Sequence, residues 1–520
     1  MSQLHRMRAA FSRTARHATW APAWAGPMCA LALVAVPVAA AAQAATPVTS
    51  PIVLTLDEAL ALAEARSEQV AIAAAAVERA RGGQLRARSE RLPQLAGSAS
   101  YDRSLASEYE GLFDDGFFGG EGSDNVDLPF GRKDTYRLNL GFSQALYAGG
   151  RITAQEEQAR LSRASAATSL ESTRAQLALD AARAYFDAAL SDRYVAIAEA
   201  SYDQADRAYE QTRAQREAGR QSEFDLLRAQ VDRDTLQPDV IRQRANREIA
   251  YLQLKQLLEI PPSTELQLAL DLEAEGVVAE RLASAIAAAE AGLDARTRSG
   301  VTLADNAVAA NDAGVRIARS QRLPAVNLVS TYGLVNYSGL PAFGDFRTNW
   351  TLGAIMQVPI FTGGRIKGDE IAARADLEEA RQLAKLSREL ADLDAESARQ
   401  ELVAARATWE ASGGTIRQAA RAYEIAELRY KEGLSTQLEL SDARLLLQQA
   451  RTNRAVAGRD LQLARVRLAL LPELPLTTPG ASGASAAGQR LSTALAATGT
   501  FGQTTGAAAS AASSSGAQQR

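Results

Sequence analysis

Two stretches of the chain alternate apolar residues with polar or small ones, and each leads into a long segment with helical character. Residues 136–143 read YRLNLGFS, with an aromatic or leucine side chain at every second position. Residues 350–358 read WTLGAIMQV and alternate in much the same way. A period of two places successive side chains on opposite sides of a strand, so both stretches are predicted to be strands with one apolar face.

A Gly-Gly pair follows both strands, within QALYAGGRI and VPIFTGGRI. Glycine adopts backbone angles that a side chain forbids, so the chain can turn there from a strand into a helix. The predicted strand-to-helix junctions are Gly149, Gly150, Gly363 and Gly364.

A second alternating stretch precedes each of these strands and follows an R-L-P motif, RSERLPQL at 88–95 and RSQRLPAV at 319–326. The stretch before it, 54–92, carries a helical stripe that Pro93 ends. A Gly-rich, acidic segment at 106–133 and a shorter one at 336–347 are predicted to be loops. The four predicted strands are about 95–105, 134–146, 325–335 and 348–360.

The segments after the Gly-Gly pairs are long. Arg151 to Ala218 contains neither Pro nor Gly, and as a helix it would span about 100 Å at ~1.5 Å per residue. A helix of that length needs a coiled-coil-like partner. Gly219 ends it, and a second helix is predicted over 222–258, kinked near Pro238. In the second half, Ser412-Gly413-Gly414 is predicted to interrupt the long helix.

The last helix carries a heptad seam. Every seven residues it places Ala at one position and mostly Leu at the other, which allows close approach of neighbouring helices. The seam positions are Ala443, Leu447, Ala450, Arg454, Ala457, Leu461, Ala464 and Leu468.

The two halves follow one plan. Gly150 and Gly364 are 214 positions apart, and so are Gly219 and Gly433. The fold class is therefore mainly α with a transmembrane β part, as a duplicated helix–strand–strand–helix–turn–helix. The predicted segments are a secretory signal peptide at 1–44, a first repeat at 45–262, a second repeat at 263–475 and a low-complexity disordered tail at 476–520.

The leader changes which chemistry is available. It has a basic start, an apolar run at 28–42 and the small-residue cleavage site Ala42-Gln43-Ala44. A membrane anchor is the rival interpretation, but the run is short for a span. Both His and the single Cys lie in the leader, so the mature chain excludes His or Cys nucleophiles, His or Cys metal sites and disulfides.

Charge and motifs exclude further classes. The leader carries four of the 57 basic residues and no acid, which leaves 53 against 61 acids and a net charge of −8. No basic patch indicates nucleic acid, and no phosphate-binding loop or cofactor motif is present. We therefore expect no enzyme and no cofactor.

Four strands cannot close a useful barrel, and their outer edges would stay unpaired. Oligomerisation would solve this, because each strand has one apolar face and one polar or small face, as a barrel between lipid and lumen requires. The alternative to a membrane barrel is a pair of β-hairpins that pack on the rest of a soluble protein.

With these elements in order, residues 54–475 resemble TolC-type outer-membrane efflux and secretion channels. The resemblance rests on the duplication, on RLPQL and RLPAV, on LYAGGRI and IFTGGRI, and on the turns REAGRQSEFD and YKEGLSTQLEL. It implies a homotrimer in the outer membrane of a Gram-negative bacterium. Four strands per chain would form one shared barrel, and the helices a periplasmic tunnel. It also implies a periplasmic membrane-fusion adaptor and an inner-membrane ABC or proton-driven transporter as partners.

The resemblance assigns roles at the turn that follows each long helix. It implies that Tyr430 hydrogen-bonds to Asp225 as a gate tether, and that Glu439 and Asp442 form an acidic ring at the periplasmic entrance. Without it, those two acids would be an exposed helix face near an N-terminus. The positions implied to contact the adaptor are Gly219, Arg220, Gly433 and Leu434.

One departure concerns the gate. The family's best-known member has an Arg in the closing network where this chain has Ser435, and Arg220 or Arg429 could substitute for it.

The function implied by the resemblance is a passive trimeric exit duct for type I protein secretion or multidrug efflux. A structural coiled-coil scaffold of the cell envelope is the alternative, although it would not need alternating strands. A hydrolase using carboxylates alone would need an α/β pattern that is missing. The cargo stays open between protein, drug, metal and polysaccharide.

Overall fold

The structure is a computed structural model that describes residues 52–106, 134–270, 272, 280–291, 297–337 and 346–476. The predicted leader, the predicted acidic loop and the predicted tail lie outside these residues, apart from single bordering positions.

Long helices dominate the described part of the chain. The strands are β1 Ile52–Leu54, β2 Gln94–Arg103, β3 Asp134–Tyr147, β4 Leu266–Leu268, β5 Ala325–Asn336 and β6 Arg347–Gln357. The helices are α1 Leu56–Arg66, α2 Glu68–Ser89, α3 Arg151–Glu217, α4 Glu223–Asp234, α5 Gln237–Leu257, α6 Glu280–Ala291, α7 Ser299–Ser320, α8 Arg365–Lys431 and α9 Gln437–Leu470. Among the helices in these ranges, none is both long and apolar enough to cross a membrane.

The duplication is visible in the helix bounds. Helices α3 and α8 each have 67 residues, and they begin at Arg151 and Arg365, which are 214 positions apart. Helices α4 and α9 begin at Glu223 and Gln437, again 214 positions apart. The repeat predicted from glycine spacing is therefore the repeat that the backbone follows.

Strands and helices keep the same lateral order. The large sheet has the order β2-β3-β5-β6, all antiparallel, and α2 packs on α3, α3 on α7 and α7 on α8. Each strand therefore connects to the helix that continues its position in the row. The result is a single layer of strands continued by a row of helices.

The Gly-Gly pairs make the junction between the two. Gly149 and Gly150 have φ values of 58° and 84°, and Gly363 and Gly364 have 58° and 90°. These left-handed values disfavour residues with a Cβ. Gly149 also lies against the start of β5, since a Cβ there would be 2.8 Å from the Cβ of Leu323. The Gly-Gly pairs therefore lie between β3 and α3 and between β6 and α8.

The largest core lies around the middle of α3, where α1, α5 and the end of α9 pack on it. Tyr185 and Phe186 are fully buried there, and the Tyr185 hydroxyl donates to the carbonyl of Leu54 at 2.9 Å. Burial raises the pKa of Tyr185 far above its ordinary value. The parallel pair of β1 and β4 next to this core was not predicted, because three-residue strands carry no readable period.

Three helix predictions have clear outcomes. The kink near Pro238 is confirmed, because the chain leaves α4 at Thr235 and re-enters a helix at Gln237 with Pro238 in its first turn. The predicted helix over 54–92 is two helices, since Ser67 ends α1 and caps α2 by accepting from the amide of Val70.

The predicted break at Ser412-Gly413-Gly414 is wrong. Helix α8 is continuous, and Arg454 of α9 packs against the glycine stretch. Its guanidinium lies over the Trp409 ring, 3.0 Å from the centroid, and donates to Ser412 Oγ at 3.1 Å. A Cβ at Gly413 would be 3.3 Å from Arg454 Nη1, so this glycine makes room for an arginine instead of breaking the helix.

Candidate functional site

The long helices α3 and α8 end in the same kind of glycine turn. Gly219 and Gly433 have φ values of 72° and 74°. The amide of Arg220 donates to Gln215 O at 2.8 Å, and the amide of Leu434 donates to Arg429 O at 2.8 Å. This is a Schellman motif, in which a left-handed glycine satisfies the last helical carbonyls. All four residues predicted to contact an adaptor are exposed on these two turns.

The helices that follow are capped differently in the two repeats. Ser222 and Asp225 form a full capping box: Ser222 Oγ donates to Asp225 Oδ2 at 2.6 Å, and the Asp225 amide donates back to Ser222 Oγ at 3.2 Å. At the equivalent place Thr436 Oγ1 accepts from the amide of Glu439 at 3.3 Å, but the Glu439 carboxylate does not return the bond. The Glu439 carboxylate therefore takes no part in the helix cap, and the residue is exposed to solvent.

The predicted hydrogen bond from Tyr430 to Asp225 is not the one that the structure contains. The Tyr430 hydroxyl lies 2.6 Å from Thr212 Oγ1 on α3. Thr212 Oγ1 uses its hydrogen on the carbonyl of Ala208 at 2.7 Å, so Tyr430 is the donor. The Asp225 side chain is engaged in its own helix cap. Within one chain, the tether from Tyr430 therefore ends on Thr212.

Tyr430 is a buried anchor. It is only 1% exposed and packs in a small cluster of Tyr423, Leu440 and Leu447 between α8 and α9. Burial raises the pKa of the Tyr430 hydroxyl, and the charge of Asp225 adds to the rise. Sequence reasoning missed Thr212, because the repeat offers no signal: the equivalent position in the second repeat is Ala426.

Glu439 and Asp442 are exposed and lie three positions apart on α9, which puts them on one face of the helix. Within the described residues, neither carboxylate has a hydrogen bond or an ion pair. Arg429, a candidate substitute in the gate, donates instead to Leu434 O in its own turn at 3.4 Å. Ser435 Oγ donates to Ala426 O at 3.4 Å. The turn therefore presents two uncompensated acids.

We expect Tyr430→Phe to loosen the end of α8. The bond to Thr212 is worth about 1 kcal/mol, so amide hydrogen exchange in the last turn of α8 should accelerate about fivefold. Thr212→Val should have the same effect, and Asp225→Ala should loosen only the start of α4. If Asp225→Ala accelerated exchange in α8 as much as Tyr430→Phe does, the tether would run to Asp225 after all.

The sheet at the other end of the helices has two different faces. Residues paired directly across antiparallel strands share a face. One face is apolar, and its paired residues are Leu95 with Phe142, Ala99 with Leu138, Tyr332 with Leu140 and with Trp350, and Val326 with Met356. The opposite face is mainly polar or small, and its paired residues include Ser98 with Asn139, Ser100 with Arg137, and Thr331 with Gly141 and with Thr351.

Aromatic side chains mark both ends of the apolar face. Tyr101 stacks on Tyr136 with a centroid separation of 4.8 Å, and Tyr332 pairs with Trp350 at the equivalent positions of the second hairpin. Tyr147, opposite Val326, marks the end beside the helices. The eleven positions from Tyr136 to Tyr147 span about 36 Å of strand, or about 28 Å of height at a tilt of ~40°. This is close to the ~25 Å apolar band of a membrane barrel.

The sequence matches the family model described as Outer membrane efflux protein over residues 59–259 and 301–472. Two relatives are Nodulation protein T of Rhizobium leguminosarum bv. viciae and the pyoverdine export outer membrane protein OpmQ of Pseudomonas putida. The first is 25% identical over 340 residues, which are 64% of this chain and 68% of the relative. The second is 25% identical over 425 residues, which are 79% and 83% of the two chains.

Solved structures share the fold. The outer membrane protein VceC of Vibrio cholerae superposes with a TM-score of 0.64 at 20% identity, covering 80% of this chain and 96% of VceC. The CmeC outer membrane channel of Campylobacter jejuni gives a TM-score of 0.63 at 16% identity, covering 83% and 88%. The chain belongs to the outer membrane efflux protein family, whose members are outer-membrane channels and not enzymes.

Proposed function

We propose that the protein is a passive trimeric exit duct that carries cargo from the periplasm across the outer membrane. The observation that carries this proposal is the sheet, with its apolar face, its polar face and its outer strands β2 and β6, whose outer edges pair with no strand among the described residues. Unpaired edges are not tolerated in lipid, so the sheet has to close on further copies. Three copies would give roughly twelve strands, a wide barrel with a polar lumen.

The duplication predicts how one copy meets the next. The hairpin register is the same in both repeats: Tyr101 pairs with Tyr136, as Tyr332 pairs with Trp350. The strands β3 and β5 already pair across the repeat boundary, with Phe142 opposite Ser330. If β6 meets β2 of the next copy in the same way, the residues equivalent to Phe142 and Ser330 face each other. These are Met356 and Ala99.

An open space at the second junction supports this assembly. A Cβ at Gly149 would clash with Leu323, just before β5, whereas no atom of the described part of the chain lies within 4 Å of a Cβ built at Gly363. In the first repeat the space is filled because α3 and β3 have α7 and β5 beside them. At Gly363 the equivalent residue would be Leu92 of the partner subunit. The isolated chain thus leaves a place that a second copy fits.

The ends of the duct support two roles. The two exposed glycine turns form the surface that we assign to a periplasmic membrane-fusion adaptor. Glu439 and Asp442 would form an acidic ring at the entrance, because three copies bring six carboxylates around one axis.

The energy for transport would come from an inner-membrane ABC or proton-driven transporter, in type I secretion or multidrug efflux. The name of OpmQ, a pyoverdine export protein, favours a small molecule over a protein as cargo.

Cross-linking tests the assembly. With Ala99→Cys and Met356→Cys in one chain, oxidation in outer membranes should give covalent dimers and trimers, because facing strand residues have Cα atoms about 5 Å apart. The mature chain has no other Cys if the leader is removed. A matched control combines Ala99→Cys with Leu352→Cys, four positions or about 13 Å farther along β6, and should give none.

The outcomes separate the candidates. Equal cross-linking of both pairs, or of the control pair alone, would refute the register. A scaffold of coiled coils, the alternative function, would show no cross-linking of either pair and would leave the protein extractable without detergent.

A further inference from the structure

Three arginines converge on one carboxylate where α7 and α8 meet the sheet. Glu370 of α8 accepts from Arg319 Nε at 3.3 Å, from Arg322 Nη2 at 2.5 Å and from Arg374 Nη2 at 2.5 Å. We call these four residues the arginine hub.

The hub holds surplus positive charge in a fixed arrangement. The Glu370 side chain is only 9% exposed, whereas the three arginine side chains are each between 53% and 57% exposed. One negative charge faces three positive ones, so the hub carries a net charge of +2. Each guanidinium has five N–H donors, and Glu370 has too few lone pairs to occupy them all. Each arginine therefore keeps N–H groups that Glu370 does not engage.

The first repeat lacks this surplus. There Glu156 is the equivalent of Glu370 and pairs with Arg91 at 2.8 Å. Arg160, the equivalent of Arg374, pairs with its own acid, Glu157, at 2.5 Å. The second repeat has Ile371 in place of Glu157, and Ile371 is 58% exposed. One substitution between repeats therefore leaves Arg374 to share Glu370 with two other arginines.

The hub lies immediately beside the strands. Arg322 comes three positions before β5, and Glu370 is six positions after Gly364, or about 9 Å along the helix. The exposed apolar residues Ile360 and Phe361 lie between β6 and α8. If the strands span the outer membrane as proposed above, the hub lies at the depth of the head groups on the periplasmic side, a layer of roughly 5–7 Å.

We propose that the arginine hub binds the phosphate of an anionic phospholipid in the periplasmic leaflet, a proposal that rests on the membrane position of the strands. Guanidinium groups match phosphate oxygens with paired hydrogen bonds, and Glu370 fixes three of them before the ligand arrives. The neighbouring exposed side chain of Phe361 suits the glycerol and upper acyl carbons. A free phosphate ion would gain nothing from it, so the occupant is the lipid.

Two variants test the hub without removing its centre. Ile371→Glu rebuilds the first repeat's pattern and gives Arg374 a competing carboxylate one turn away. Arg319→Gln removes the arginine with the longest contact to Glu370. The matched control is Arg88→Gln, which changes the same motif position in the first repeat. Native mass spectrometry of the detergent-solubilised oligomer, titrated with phosphatidylglycerol, counts the lipids bound per oligomer and gives their apparent Kd.

We expect the parent and Arg88→Gln to bind phosphatidylglycerol equally. Ile371→Glu and Arg319→Gln should bind it about tenfold more weakly, since the first gives Arg374 a competing carboxylate and the second removes a guanidinium. Glycerol phosphate or inorganic phosphate at the same concentration should not displace the lipid. Equal binding by all four proteins, or displacement by inorganic phosphate, would overturn the proposal. Absence of lipid binding by an intact trimer would overturn the hub alone, whereas a monomer without lipid would overturn the proposed duct as well.

Discussion

Replacing Arg298 with Met is expected to lower the free energy of unfolding by about 3–5 kcal/mol, the usual cost of removing one partner of a buried ion pair. Arg298 Nη1 donates to Asp394 Oδ2 at 2.6 Å, and the two side chains are 3% and 7% exposed. Asp394 also forms an ion pair with Arg467 at 3.2 Å. The variant therefore removes one charged partner of a buried carboxylate.

The same helix pair offers a control. Arg388 of α8 forms an ion pair with Asp305 of α7, but both side chains are about half exposed. Arg388→Met should change stability by less than about 1 kcal/mol. Because thermal unfolding of large proteins is often irreversible, the measurement is the apparent melting temperature at one fixed scan rate, for the parent and both variants in the same detergent. Similar melting temperatures for Arg298→Met and Arg388→Met would show that the buried pair does not stabilise the protein.

Removing both entrance acids is expected to change the channel's ion selectivity. Glu439→Ala combined with Asp442→Ala takes six carboxylates from the proposed ring of a trimer. A confined ring of one sign concentrates counter-ions, so the variant should lose most of the cation preference. Block by a multivalent cation from the periplasmic side should weaken by about tenfold or more. Reversal potential and block in planar bilayers measure both effects.

A second double variant separates a ring from surface charge in general. Glu210 and Glu217 lie near the same end of α3, and both pair with Arg213. Replacing both with Ala removes the same formal charge per chain and should leave selectivity and block almost unchanged. If the two double variants behave alike, or neither differs from the parent, Glu439 and Asp442 are only a solvated helix face.

Structural features that repeat with a short period or at a fixed spacing could be predicted from the sequence. Alternation located all four long strands to within a few residues, and the glycine pairs located the beginnings of α3 and α8. The heptad seam of α9 holds as well, because Leu447, Leu461 and Leu468 are buried against α8 or the core. These features depend on local backbone preferences and on the burial of one face of a helix or strand. Both leave a pattern in the order of the residues.

Contacts between distant residues could not be predicted in this way. Thr212 and Tyr430 are 218 positions apart, and Arg298 and Asp394 are 96 apart. In the first repeat, Ser67 stands where Arg298 stands in the second, as a simple helix cap. The duplication therefore gives no sign of the buried ion pair. The predicted helix break at Gly413 and Gly414 was wrong for the same reason, since the role of these glycines depends on where Arg454 of another helix lies.

The central claim is that the polar face of the sheet lines a water-filled lumen and the apolar face meets lipid. Adjacent residues of β2 test it, because Ser98 lies on the polar face and Ala99 on the apolar face. The measurement is single-channel conductance in planar bilayers before and after a membrane-impermeant cationic thiol reagent. With Ser98→Cys we predict a fall in conductance in up to three steps, and with Ala99→Cys no change. A fall with Ala99→Cys and none with Ser98→Cys would contradict the account.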